Sequence, residues 1–323
     1  LSLVGSDMCI RDTLIDEGNT IPFIARYRKE LTGSLDDQIL RELSDRLTYL
    51  RNLEIRKSEV SSSIAEQGKL TEEISSALDK AETLVEVEDI YRPFKPKRKT
   101  RASIAREKGL EVLADLIGRQ DDKLDLHNES QKFINVENGL ETEEEVIQGA
   151  SDIIAENVSD DAELRKSIRK LYEKAAKIES RASDENAETV YQNYYEFCEP
   201  VSKIADHRIL ALDRGEKEGA LKVSVSIDEE FCFSIAERKY VINNTDSGNI
   251  VKAAVQDSCK RLIMPSVERE IRAELTARAA EGAIKVFSSN LRQLLLQPPI
   301  KNSVTLGLDP AYRTGCKIAV VDS

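Results

Sequence analysis

The stretch "SLDDQILRELSDRLTYL", residues 34–50, decides the fold class of this chain. Leucine and isoleucine recur in it at spacings of four and three, which is the period of one face of an α-helix. The predicted apolar stripe consists of Leu35, Ile39, Leu43, Leu47 and Leu50. Ser34 is the predicted N-cap, with Asp37 three residues later in the place of a capping-box glutamate. The pattern continues toward Gly68, so the sequence predicts one long helix.

Segments on both sides of this stretch carry further helix signals. In "TIPFIARYRKELTG", residues 20–33, Thr20 suits the N-cap, Pro22 the first turn and Gly33 the exit. Further helices are predicted to begin at Thr71, near Ser103, at a Thr142-to-Glu145 capping box, and in "LRKSIRKLYEKAAK", residues 164–177. The first half of the chain is therefore predicted to be helical.

The residue pattern changes near Tyr191 from helical to β-rich. Short β-rich runs follow, "LKVSVSI" at 221–227, "FCFSIA" at 231–236 and "KYVIN" at 239–243, and each predicts a strand. A long helix is predicted from about Ser266 to Leu296, and "SVTLGLDPAYRTGCKIAVVDS" at 303–323 predicts strand, turn and strand. The predicted fold class is mainly α: a multi-helix N-terminal domain, a smaller mixed α/β region and a terminal β-hairpin.

Composition narrows the class of protein. The chain has 323 residues, 40% hydrophobic and 33% charged, with no Trp and a net charge of −12, which is typical of a globular protein with an aliphatic core. No apolar run approaches the roughly 18 residues of a membrane span, and no signal peptide is visible. Five scattered cysteines predict reduced thiols in a cytoplasmic protein. Two distant histidines, His127 and His207, predict no metal site, and we expect no cofactor.

One compact basic segment stands out from this acidic background. "YRPFKPKRKTR", residues 91–101, carries six basic side chains that are suited to neutralising phosphates: Arg92, Lys95, Lys97, Arg98, Lys99 and Arg101. Its two aromatic residues, Tyr91 and Phe94, are candidates for stacking on a base or on a neighbouring side chain. The prolines predict a loop or extended segment. These six cations are the predicted nucleic-acid-binding residues.

The alternative is that the basic segment pairs with carboxylates of the same chain. "ETLVEVED", residues 82–89, brings four carboxylates just upstream, and residues 133–164 contain ten acidic side chains and no basic one. In that case the segment is a structural clamp between helices, and composition alone leaves both interpretations open.

Five motifs in order carry a resemblance to a known family. They are "TIPFIARYRKELTGSLDDQILREL", "YRPFKPKRKTRASIAREKGL", "FINVENGLETEEEVIQGASDIIAE", "ADHRILALDRGE" and "LGLDPAYRTGCKIAVVD". Together they closely resemble the bacterial Tex proteins, which are transcription accessory factors. The resemblance implies a largely helical, cytoplasmic protein that binds RNA or DNA and is not an enzyme.

The resemblance also implies a domain order. We expect residues 1–12 to be a non-native or disordered segment, 13–190 a helical Tex-like N-terminal domain and 191–300 a mixed α/β and long-helix connecting region. Residues 301–323 are then the truncated start of a YqgF (RNase H-like) domain, so the chain is interpreted as an N-terminal fragment. Nucleic acid is expected to bind through the full-length protein. RNA polymerase or the ribosome is an open alternative partner, and a monomer is expected.

Asp309 is the sharpest catalytic candidate, because RNase H-like nucleases place an aspartate on their first strand to bind a metal ion. That chemistry needs several convergent carboxylates, and only one is visible here, so no catalytic residue is predicted. A metal-dependent nuclease or resolvase remains the alternative for the full-length protein. "ADHRILALDRGEKEG", residues 205–219, predicts a salt-bridged helix end capped by Gly215 rather than a catalytic triad around His207.

Overall fold

The computed structural model describes residues 13–28, 30–95, 99–122, 124–136, 139–184, 189–298, 301, 303–311 and 315–322. The predicted fold class is confirmed, since helices dominate and the strands form two small antiparallel sheets. The predicted segment 1–12, with Cys9, lies outside the described residues. No described helix is both long enough and apolar enough to span a bilayer.

Helices occupy most of the described chain. In order they are α1 Ile21–Tyr27, α2 Asp37–Glu66, α3 Glu72–Lys80, α4 Leu84–Tyr91, α5 Arg101–Glu107, α6 Glu111–Arg119, α7 Leu126–Gln131, α8 Glu143–Ser159, α9 Ala162–Ala175, α10 Asp206–Lys217, α11 Glu229–Tyr240, α12 Asp246–Asp257 and α13 Met264–Leu295. The described residues also contain two 3₁₀ turns, Arg92–Phe94 and Gln192–Tyr194, and a π-helical segment, Ser258–Ile263.

The chain divides into two compact units, each built from two separate segments. The first comprises Leu1–Leu171 and Asp228–Val267, and the second comprises Tyr172–Ile227 and Glu268–Ser323. The domain boundaries that the sequence suggested stay predictions.

The long helix α2 exists as predicted, but its start and its apolar face differ. Asp36, not Ser34, is the N-cap, and its side chain accepts a hydrogen bond from Ile39 N at 2.9 Å. Ile39 and Leu50 of the predicted stripe are 46% and 41% exposed. The fully buried positions are Leu40, Leu53, Val60 and Ile64. The stripe is only partly correct, since Leu35, Leu43 and Leu47 are half-buried. The reason is that α2 packs on two different sets of neighbours, near Ile24 at one end and near α3 and α4 at the other.

Three of the predicted capping signals are confirmed, whereas Thr20 precedes α1 without a side-chain cap hydrogen bond and Gly33 lies beyond the end of α1 at Tyr27. Gly68, with φ of 66°, follows the end of α2, and Thr71 caps α3 by accepting from Ile74 N at 3.3 Å. The Thr142–Glu145 capping box at the start of α8 is present. The helix predicted from about Ser103 starts two residues earlier, at Arg101, because Thr100 is its N-cap.

The second unit contains a three-stranded sheet of order β2-β1-β3. Its strands are β1 Lys177–Ala182, β2 Glu196–Pro200 and β3 Leu221–Ser226, with the central Ile178 paired to Glu199 on one side and Val225 on the other. Of the three runs predicted as strands between residues 221 and 243, "LKVSVS" is a strand. The run "FCFSIA" lies in α11, and "KYVIN" spans the end of that helix. Asp228 caps α11 through Glu230 N, which sets a helix where β-propensity alone suggested a strand.

The terminal hairpin and the helix before it follow the prediction. The predicted helix 266–296 is α13, and β4 Thr305–Ala311 pairs antiparallel with β5 Gly315–Val321. The prediction that Gly215 caps the end of α10 is wrong, because Gly215 is buried inside that helix. Gly219, with φ of 77°, follows the C-cap residue Glu218.

Candidate nucleic-acid interface

The basic loop, defined here as residues 92–101, leaves α4 and leads into α5. Arg92 is half-buried in the 3₁₀ turn, whereas Lys95 and Lys99 are exposed. Arg101 is exposed as the first residue of α5. The other two predicted binding residues, Lys97 and Arg98, lie outside the described residues. The described cations therefore lie on one short loop between two helices.

The beginning of the loop is anchored in the core of the first unit. Tyr91 and Phe94 pack against a buried cluster that contains Val60, Ile64 and Val87. The Tyr91 Oη lies 3.1 Å from the hydroxyl of a serine on α2, and a glutamine near the end of α2 donates to the Phe94 carbonyl at 2.9 Å. Both aromatic rings therefore pack on neighbouring side chains of the same chain. The sequence had left this role open beside stacking on a base.

The end of the loop is anchored by a capping box. Thr100 Oγ1 accepts from Ser103 N at 3.0 Å, and Ser103 Oγ accepts from Thr100 N at 2.9 Å. Thr100 Oγ1 also donates to Oε1 of the buried Glu156 at 3.0 Å, and Arg106 Nη1 donates to Glu156 Oε2 at 2.5 Å. The loop is thus tied down at both ends while Lys95 and Lys99 face solvent.

The upstream carboxylates are engaged mainly by cations from other helices. Glu86 lies 2.7 Å from Lys166 Nζ of α9, and this hydrogen bond holds the Glu86 pKa below its ordinary value. Glu88 lies 2.6 Å from Arg56 of α2, and its other oxygen lies 3.7 Å from Lys95 Nζ. The loop therefore shares Glu88 with α2, and the 3.7 Å pair joins two side chains that are 59% and 40% exposed, which contributes little.

Asp89 belongs to a buried ion-pair network that sequence reasoning missed. Its carboxylate accepts from Arg165 Nε and from Arg169 Nη2, both at 2.8 Å. Arg165 is fully buried and also donates to Ser266 Oγ at 3.0 Å. The partners are 76 and 80 residues away from Asp89, so no local pattern could have found them.

Residues 133–164 meet the loop mainly through two buried carboxylates of α8. Besides Glu156, Asp152 is buried, and desolvation raises its pKa although Arg261 and Arg101 oppose that shift by their positive charge. Arg261 Nη2 lies 3.5 Å from Asp152 Oδ1. The positive charge of Arg101, at the end of the basic loop, thus acts on Asp152 by lowering its pKa.

The other residues considered for catalysis or metal binding each have partners of their own. Asp309 is exposed on β4, and in the register of the hairpin it lies opposite Lys317 of β5. Asp206 accepts from Arg278 Nε at 3.1 Å, and His127 Nδ1 lies 2.7 Å from Glu143 Oε2. Within the described residues, no group of three or more His, Cys, Asp or Glu side chains is arranged to hold a metal ion. The basic loop is therefore the candidate site on which chemistry and geometry agree best.

Two family models match the chain. Residues 11–65 match a Tex-like protein N-terminal domain, and residues 121–287 match a Tex central region-like model. The basic loop lies between the two matched ranges.

Three curated relatives are similar to nearly the whole of this chain. The chain is 48% identical over 315 residues to the Bacillus subtilis protein "Uncharacterized protein YdcI", covering 96% of this chain and 44% of the relative. It is 39% identical over 320 residues to "Transcriptional accessory protein Tex" of Neisseria gonorrhoeae, covering 96% and 42%. It is 33% identical over 324 residues to human "S1 RNA-binding domain-containing protein 1", covering 95% and 32%. The chain thus spans less than half the length of each of these relatives.

Proposed function

The chain belongs to the Tex-like protein family, as its sequence motifs predicted, and from this we propose that it is part of a nucleic-acid-binding transcription accessory protein. Relatives named for transcription and for RNA binding support the proposal. We assign the basic loop an auxiliary role in it, as a surface that contacts phosphates in a sequence-independent way. RNA or DNA is the proposed ligand of the full-length protein, and polymerase or ribosome contacts are an alternative within the same role.

One observation carries the role of the loop. Both ends of the loop are fixed by hydrogen bonds and core packing, while Lys95 and Lys99 between them face solvent. Lys95 and Lys99 each adjoin an anchored residue, so ordering them on an anion costs less conformational entropy. The protein is acidic overall, but the attraction acts locally, because charges are screened over about 8–10 Å at physiological salt.

The test uses the full-length protein and a single-stranded RNA. Five loop cations are changed to glutamine: Lys95, Lys97, Arg98, Lys99 and Arg101. Five phosphate contacts would contribute up to about 3.5 to the slope of log K against log salt, and we expect a smaller loss because Lys95 and Arg101 have carboxylates nearby. Affinity should fall for all sequences without a change of preference.

The matched control changes five exposed lysines elsewhere to glutamine: Lys170, Lys174, Lys203, Lys217 and Lys222. It alters the net charge equally and should leave the salt slope close to that of the wild type. If the loop variant keeps its affinity and slope while its Tm falls by several degrees, the loop is a structural clamp, as the alternative holds.

The proposal includes a non-enzymatic, cytoplasmic and monomeric protein, in which β4 and β5 begin an RNase H-like domain. Asp309 is the residue that tests the first part. Asp309→Asn in the full-length protein with Mg²⁺ or Mn²⁺ should leave nucleic acid as intact as the wild type does. Cleavage by the wild type that the variant loses would establish a metal-dependent nuclease instead.

A further inference from the structure

An open groove of about 750 Å³ lies in the first unit, between α3, α4 and the start of α9. Its apolar lining includes Ala77 of α3, the buried Ala81 that follows α3, and Ile90 of α4. Ala77 is exposed, and its side chain is a single methyl group. This shape allows another chain segment to approach α3 closely.

The rim of this groove is acidic. The rim is defined here by four exposed charged residues of the lining: Glu72 and Glu73 in the first turn of α3, Lys80 at the end of α3, and Glu163 in the first turn of α9. The deeper carboxylates, Glu86 and Asp89, are already engaged by cations of α9. After these pairs are counted, the rim keeps three carboxylates against one lysine.

We propose that this groove docks a cationic amphipathic helix of a partner protein. The apolar face of that helix would lie on Ala77 and Ile90, and its lysines or arginines would face Glu72, Glu73 and Glu163. This is the helix-in-groove mode of recognition, with charge complementarity that sets the orientation and the partner. The same rim repels phosphates, so the groove serves a protein ligand and is separate from the proposed role of the basic loop.

First-turn glutamates also stabilise helix N-termini, which gives the rim carboxylates a structural role as well. The test must therefore separate binding from stability. A second variant addresses the floor alone: Ala77→Trp fills the groove from an exposed position and leaves every rim charge in place.

The probe is a fluorescent helical peptide of alanine, leucine and lysine, titrated into this chain, with a matched peptide that carries glutamate in place of each lysine. We expect the lysine peptide to bind with a micromolar Kd and the glutamate peptide not to bind. Ala77→Trp should weaken binding about tenfold or more, and so should the combined variant Glu72→Gln, Glu73→Gln and Glu163→Gln, which should also flatten the salt dependence.

The matched control neutralises three exposed carboxylates of α2: Glu42→Gln, Asp45→Asn and Glu66→Gln. It gives the same change in net charge and should keep the affinity within about twofold. Absence of peptide binding, an equal loss in the α2 control, or equal binding of the glutamate peptide would overturn the proposal. Direct binding of a labelled single-stranded RNA that Ala77→Trp abolishes would also overturn it, since the groove would then accept phosphates.

Discussion

Thr100 Oγ1 donates a 3.0 Å hydrogen bond to Oε1 of Glu156, and this bond joins the end of the basic loop to a buried side chain of α8. The same hydroxyl oxygen accepts from Ser103 N, so one side chain both starts α5 and fixes that helix on its neighbour. The position of the loop cations therefore depends on a neutral residue at the end of the loop.

Thr100→Val tests this anchor, because valine keeps the shape but removes the hydroxyl group. The loss of an N-cap and of a hydrogen bond to a buried carboxylate should lower the free energy of unfolding by about 2 kcal/mol. Urea unfolding monitored by circular dichroism measures it. Thr48→Val is the control, since its hydroxyl donates to the Ser44 carbonyl at an exposed site, and it should stay within about 0.5 kcal/mol. Equal effects of the two substitutions would contradict the anchoring role.

Asp89→Asn should be far more costly. It removes the negative charge between Arg165, whose side chain is fully buried, and Arg169, whose side chain is 12% exposed to solvent. Removing one partner of a buried ion pair typically costs about 3–5 kcal/mol. Thermal or urea unfolding of the purified chain measures the loss.

Glu281→Gln is the control for this prediction. Glu281 pairs with Lys285 at 2.7 Å, but the two side chains are 70% and 74% exposed. Exposed pairs of this kind contribute at most about 0.5 kcal/mol. If Asp89→Asn is as mild as this control, then the buried network contributes no net stability over its neutral replacement.

The elements that the sequence predicted correctly are those with local causes. A cap such as Thr71 or Thr142 bonds a backbone amide three residues away, so its signal lies within one turn. The anchors of the basic loop are different, because Thr100 and Glu156 are 56 residues apart. The sequence predicted the loop and its charge, and the fold decides which carboxylates engage it.

The apolar face of α2 shows a second limit of prediction from the sequence. Periodicity identified a helix, but Leu40 and Leu53, rather than Ile39 and Leu50, face the neighbours. A helix with leucine on several sides has no unique inward face until its partners are placed. The run "FCFSIA" fails for a related reason, since the cap Asp228 and the buried Cys232 and Ala236 set a helical period.

Gly248 provides a test of packing at the start of α12. A Cβ there would lie 2.1 Å from the backbone carbonyl oxygen of Asn243, and a backbone atom cannot move aside as a flexible side chain can. Gly248→Ala should therefore destabilise the chain by about 2 kcal/mol or more.

Gly118→Ala is the opposite case and the matched control. Gly118 lies within α6, and among the described residues no neighbouring atom lies within 4 Å of the position that an added methyl group would take. Alanine there should stabilise the chain by about 0.5–1 kcal/mol, through its higher helix propensity and a less flexible unfolded state. A loss of stability at both positions would show that the steric argument does not distinguish them.

We expect the stability of the fold to depend on pH through Asp161. Burial alone would raise its pKa, but hydrogen bonds from Lys239 and from Tyr240, whose Oη donates at 2.5 Å, outweigh it and lower the Asp161 pKa below the ordinary value. Because the folded-state pKa lies below that of the unfolded chain, the ionised carboxylate stabilises the fold above about pH 4, the ordinary pKa of aspartate. That stabilisation is lost as the pH falls through the lowered pKa.

Asp161→Asn isolates this contribution, because asparagine still caps the start of α9, where Asp161 accepts from Leu164 N at 3.1 Å. The wild type should be more stable than the variant by a constant amount between pH 5 and 7, roughly 2 kcal/mol for charge-assisted hydrogen bonds. The difference should shrink as the pH falls below about 4, where the carboxylate of the unfolded chain becomes protonated, and should level off once the pH lies below the lowered folded-state pKa. Tyr240→Phe removes one of the donors and should reduce the difference at neutral pH. A gap between wild type and Asp161→Asn that is the same at pH 3 and pH 6 would mean that the charge of Asp161 does not stabilise the fold.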